Sequence, residues 1–178
     1  MKNISIQFNT DISKGNTEIR IAFYANIGFF IEVAQMLEFN LRKLICYELS
    51  IKEIEKERKN KESVSKIYQK YNKYYFQTYD DKWTLGKLKD ELKKTTSLST
   101  DVMNLIQEIN DYRIQLVHKI FQNNVISGNL SDSKTVSDYT ELRLNPMTNK
   151  AIDVNKTIIK TIELFRDNLQ AYKAQEAE

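Results

Sequence analysis

The stretch DVMNLIQEINDYRIQLVHKIFQ, residues 101–122, decides how the chain is read. On a wheel at about 100° per residue, Val102, Leu105, Ile106, Ile109, Tyr112, Leu116 and Ile120 form one broad apolar stripe. That periodicity predicts an amphipathic helix with Ser99 or Thr100 at its N-cap. Arg113 falls inside the stripe. A guanidinium among core positions is costly unless its charge is paired or its head reaches an interface. His118 follows five residues later, about 140° around the cylinder and on the polar side. Asn110, Ile114, Val117 and Phe121 form a second, narrower strip between the two directions. Exposed Ile and Phe beside polar residues are what a subunit seam needs.

Helical spacing extends from this segment in both directions. Upstream, Thr84 is placed to cap a short helix, LGKLKDELKKT, that turns Leu85, Leu88 and Leu92 inward. Before it, SVSKIYQKYNKYYFQTYDDKW gathers Val64, Ile67, Tyr68, Tyr71, Tyr74 and Tyr75 on one face and Lys66, Lys70 and Lys73 opposite or beside it. The spacing is that of an amphipathic helix packing its tyrosines; a surface for stacking RNA bases is the alternative. A long helix begins near Thr17. Its apolar residues, among them Ile21, Tyr24, Phe29, Met36, Leu37, Leu41, Leu44 and Ile45, occupy so many faces that contact from two sides is expected. Downstream, VISGNLSDSKTVSDYTELRLNPMT is polar, holds Gly128 and Pro146, and reads as a long loop over residues 125–150, with a short helix or hairpin within it as the alternative. A last helix from about Asp153 to Ala174 turns Val154, Ile158, Ile162, Phe165 and Leu169 inward. Residues 1–16 read as an N-terminal arm and 175–178 as a frayed tail. The sum is an all-α bundle of four to five helices in one domain, with a long polar loop before the last helix.

Composition agrees and removes whole classes of chemistry. Four Gly and one Pro in 178 residues leave few turns, hence long helices. With Cys46 and His118 the sole residues of their kinds, a disulfide scaffold, a Cys/His zinc site and a two-histidine metal centre within one chain are excluded. The glycines are scattered, so no phosphate-cradling loop exists. A net charge of +3 with 29% charged residues describes a soluble surface that permits RNA binding without demanding it. The most apolar run, Ile21 to Ile31, is too short to span a bilayer and no signal peptide is evident, so the cytoplasm is the expected location.

Arg113, four intervening residues and His118 resemble the R-x(4–6)-H motif of the HEPN superfamily, whose common form is R-N-x-x-x-H. The order of elements, a motif helix followed by one final long helix, is also similar. HEPN domains are small all-helical bundles, often homodimeric, and many are metal-independent endoribonucleases of toxin–antitoxin and other defence systems. The resemblance therefore implies Arg113 and His118 as catalytic residues, RNA as substrate, no metal and no other cofactor. It also implies a homodimer with Ile114, Val117 and Phe121 in the seam, a cognate antitoxin protein as a further partner, and no DNA specificity or membrane association. The chain departs from the pattern at Ile114, where the family usually carries a polar residue. Asn110, one turn earlier on the same face, and Asp111 are the candidate supporting residues.

The chemistry is self-consistent without a metal. Cleavage of RNA by its own 2′-hydroxyl needs a base for that proton, a cation for the crowded phosphorane, and an acid for the 5′-leaving oxygen. Histidine titrates near neutrality and serves as either acid or base, while a guanidinium holds phosphate oxygens in a fork. A two-fold dimer would supply the second imidazole. Ile114 keeps open a second reading, a catalytically inactive HEPN-like module that binds RNA or a partner protein. A third is an unrelated monomeric bundle, with Arg113 paired internally to Glu32 or Glu38 of the first helix and His118 freely exposed.

Overall fold

The fold is built on one helix. In the computed structural model, α1 runs over Lys14–Glu57 as 44 residues, about 66 Å of unbroken helix. Phe23, Ile27, Phe30, Val33, Leu37, Leu41 and Leu44 line its buried face at spacings of three and four. The structure describes residues 14–57, 62–79, 83–95, 98–120 and 133–176. Among them are five helices and no strand. The chain is an all-α helical bundle.

Helix α2, Val64–Thr78, turns back along the C-terminal part of α1. Ser63 caps it, its hydroxyl accepting from the Lys66 N–H at 3.4 Å. Val64 and Ile67 are buried with Ile54 of α1 and Leu169, while Tyr68 and Tyr71 pack around them. Tyr71 donates to Glu57, and Tyr75 donates to Glu53 at 3.5 Å. The tyrosines of the aromatic, basic segment are thus mostly engaged with α1, and Tyr74 alone of them is largely exposed. Helix α3, Leu85–Thr95, buries Leu85, Leu88 and Leu92, the three leucines the spacing singled out.

Helix α4 is α-helical over Thr100–Ile114 and continues as a π-helix over Gln115–Ile120. Ser99 caps it, accepting from the Val102 N–H. Ile106, Ile109 and Leu116 are fully buried; Val102, Leu105 and Tyr112 pack against the same core. The wheel of uniform α-helix through residue 121 therefore holds only to Ile114.

The largest correction concerns the segment before the last helix. Residues 133–150, expected as loop, are helical: α5 is α over Ser133–Tyr139, π over Thr140–Leu144 and α again over Asn145–Ala174. Pro146 gives the physical reason. It has no N–H and its ring clashes with a carbonyl one turn back, which would break a regular helix. Here the turn before it is widened, so that the Asn145 N–H donates to Thr140 O, five residues back. The π-turn makes room for the proline and the helix continues. Residues 125–132, Phe121 and residues 1–13 lie outside the described residues, whereas residues 14–16, expected in the arm, belong to α1. The expected frayed tail is pinned at Glu176, whose carboxylate accepts from the Val64 N–H at 2.5 Å.

Candidate active site

Three helices meet at one carboxylate. Glu38 projects from α1, and its Oε1 accepts the N–H of Leu85, the first residue of α3, at 2.7 Å. The same oxygen accepts from Nη1 of Arg113 on α4. The positive end of the α3 dipole and a guanidinium therefore share one anion. Thr84 sits where a capping side chain was expected and contributes its carbonyl, which accepts from the Leu88 N–H at 3.0 Å. The carboxylate that satisfies Leu85 comes from a distant part of the sequence.

This arrangement resolves the arginine in the apolar stripe. Arg113 is paired with Glu38, one of the two partners considered for it, and its side chain keeps 25% of its surface open. A guanidinium carries five N–H donors and Glu38 takes one. Among the described residues no second acceptor binds the head, and the pair holds it in place.

His118 lies in the π segment and is exposed, with no hydrogen bond or ion pair among the described residues. A π-turn pairs residue i with i+5. Positions five apart around this segment are therefore rotated less than the 140° of a straight α-helix. Arg113 closes the last regular turns and His118 rides the wide one, so the change of helix type falls between the two residues. Such π segments occur frequently at functional sites.

The other sequence candidates separate. Asn110 faces α3, with its Nδ2 3.5 Å from where a Cβ on Gly86 would stand. Asp111 is exposed and accepts from Gln107 Nε2 at 2.6 Å on the outer side of α4, away from the Glu38 bond. Neither is joined to Arg113 by a hydrogen bond among the described residues. Ile114 and Val117 are both exposed apolar side chains, as a seam requires.

Tyr112 stood in the apolar stripe, but its bond to Tyr139 carried no sequence signal. Tyr112 donates from its hydroxyl to that of Tyr139 at 3.2 Å. Its ring packs edge-on to Phe30 at 5.3 Å, and Tyr139 packs edge-on to Phe23 at 5.9 Å. Burial, then the bond to Tyr139, pushes the Tyr112 hydroxyl far above its ordinary range, so it is neutral. This pair ties the turn before Arg113 to α1 and to the start of α5, a region that reads as loop. Cys46 is buried, and desolvation pushes its thiol up to about 12, so it is an inert core residue and not a nucleophile.

Among the described residues no cluster of His, Cys, Asp and Glu is placed to hold a metal, and no helix is long and apolar enough to cross a membrane. No family model, no curated protein and no solved structure matches the chain.

Proposed function

We propose that the chain is a metal-independent endoribonuclease of the HEPN type, with Arg113 and His118 as catalytic residues, acting in a toxin or defence system. One observation carries the reading: a partly open guanidinium, fixed by Glu38 and the start of α3, stands at the entry to a π-turn that bears the chain's sole histidine. Arg113 stabilises the anionic phosphorane, to which its remaining donors are suited. His118 moves protons, as base for the 2′-hydroxyl in one protomer and as acid for the 5′-oxygen in its partner. RNA is then the substrate, a homodimer the working unit and a cognate antitoxin protein the natural inhibitor.

The test is cleavage of RNA by the purified chain in EDTA. The wild-type chain is expected to cleave, while Arg113→Ala and His118→Ala lose at least about 100-fold in rate, the scale of a lost acid–base group. Activity that a chelator abolishes, or that survives both substitutions, overturns the reading. The Glu38 bond and the exposed His118 are the two marks of the unrelated bundle, and they favour it as the second reading, with Arg113 a structural cation. A chain that neither binds nor cleaves RNA, with a fold indifferent to His118→Ala, would establish that reading instead.

A further inference from the structure

The N-terminal half of α1 presents an apolar face that no described part of the chain covers. Ile21 is 64% exposed, Phe29 51%, Met36 49% and Phe39 44%, with Tyr24 beside them. At about 100° per residue, Ile21, Ala25, Gly28, Phe29, Glu32, Met36 and Phe39 fall within one arc about 100° wide. A Cβ built on Gly28 would meet nothing within 4 Å, so the backbone there is open to close approach. Further along, the same arc continues through Ser50 and Ile54, which are fully buried where α2 packs. Helix α2 ends at Thr78, with Phe76 beside Arg42. Beyond that point the stripe runs uncovered for about 27 Å.

We propose that this face is a self-docking surface, on which α1 of a second copy of this chain lies antiparallel. The order of residues selects that occupant. With a two-fold axis midway between Phe30 and Ile31, Glu18 meets the partner's Lys43 and Ala25 meets the partner's Met36. Ile21 falls beside the partner's Phe39, and Phe29 beside the aliphatic stem of the partner's Glu32. Opposite charges close the two ends, and a small residue faces a large one between them. Four large side chains within the arc and Tyr24 at its edge offer about 100 Å² each, about 500 Å² in all, and Ala25, Gly28 and Glu32 add to it, which reaches the low end of specific interfaces, about 600 Å² per partner. Ile114 and Val117 alone offer far less. Glu38, which holds Arg113, lies about 130° around α1 from this face, so the interface is not the seam that would pool two His118 imidazoles. The inference therefore stands apart from the ribonuclease reading: a dimer that never cleaves RNA overturns that reading and leaves this one intact.

Sedimentation equilibrium of the full chain tests it. The wild-type chain is expected to dimerise at micromolar concentration, and Phe29→Asp or Met36→Asp to weaken the dimer at least about 100-fold with helix content unchanged. Glu18→Lys weakens it and Lys43→Glu in the same chain restores it. Because the two copies of Glu32 flank the axis, Glu32→Gln tightens it. Register is read by oxidising the Ala25→Cys, Met36→Cys double variant, in which buried Cys46 is silent; cross-linked dimers are expected, and none from either single variant. A chain that stays monomeric at about 0.1 mM, as it would if residues 1–13 cover the face, overturns the proposal. So does a dimer indifferent to Phe29→Asp and Met36→Asp, or one cross-linked by Ala25→Cys alone.

Discussion

Removing the Glu38 carboxylate perturbs three helices at once. The pair with Arg113 is neither fully buried nor exposed, since the two side chains keep 18% and 25% of their surface. Its loss therefore falls between the 0–1 kcal/mol of surface pairs and the 3–5 kcal/mol of broken buried ones, at about 2 kcal/mol. The Leu85 N–H loses its acceptor as well, equivalent to a lost helix cap at about 1 kcal/mol. Glu38→Ala is thus expected to cost about 3 kcal/mol, a fall in Tm of about 6–12 °C for a domain of this size. Glu38→Gln keeps an oxygen for Leu85 and removes only the charge, so it is expected to cost about 1–2 kcal/mol. The assay is urea unfolding followed by circular dichroism, completed by a double-mutant cycle with Arg113→Ala. A coupling energy above about 1 kcal/mol is expected. An unfolding free energy for Glu38→Ala within about 0.5 kcal/mol of wild type, or no coupling to Arg113, refutes the claim that this carboxylate holds the arginine in place.

Other outcomes follow from the same interior. Tyr68, Tyr79 and Tyr112 all have hydroxyls raised above their ordinary value, by burial first and then by a hydrogen bond. The folded state holds these protons more tightly than the unfolded one. Their stabilisation is therefore complete below about pH 10 and is lost as pH climbs beyond it toward the folded-state values. Urea midpoints measured from pH 8 to 11 should fall above pH 10, and less steeply in Tyr112→Phe. The Cys46 thiol, pushed up to about 12, should react with a neutral disulfide reagent at pH 8 about 1,000-fold slower than free cysteine, and at the ordinary rate in denaturant. Phe30 is fully buried against the Tyr112 ring, so Phe30→Ala should cost about 3–5 kcal/mol by thermal unfolding. Its neighbour Phe29, half exposed, should leave the stability of the isolated protomer unchanged when replaced by Ala.

The helices that pack one clean face were legible from spacing. Leu85, Leu88 and Leu92, or Val154, Ile158 and Leu169, lie where a period of 3.6 puts them, because burial on a single side leaves an unambiguous stripe. Pro146 and its polar surroundings misled, because a proline signals a break unless the preceding turn widens. The helix running through the widened turn buries Leu144 and Ala151 in the core, a tertiary gain that local sequence does not signal. On α1 the apolar pattern predicted contact from two sides; α2 and α5 both pack on it, yet the N-terminal half keeps Ile21, Phe29 and Met36 exposed, because periodicity does not say how far along the helix the second face is covered. For the site, the sequence marked Arg113 as anomalous and offered Glu38 among its partners. It held no sign that the same carboxylate caps α3 from a helix 47 positions away, nor that the helix changes pitch before His118.

The most direct measurement uses an oligonucleotide that is DNA except for one ribonucleotide, incubated with the chain in EDTA. Attack by the 2′-hydroxyl under Arg113 and His118 predicts a single cut 3′ to the ribonucleotide, leaving a 2′,3′-cyclic phosphate, with no cut by His118→Ala. Cleavage of the all-DNA strand, or an undiminished cut by His118→Ala, would contradict the assignment of these two residues as the catalytic pair.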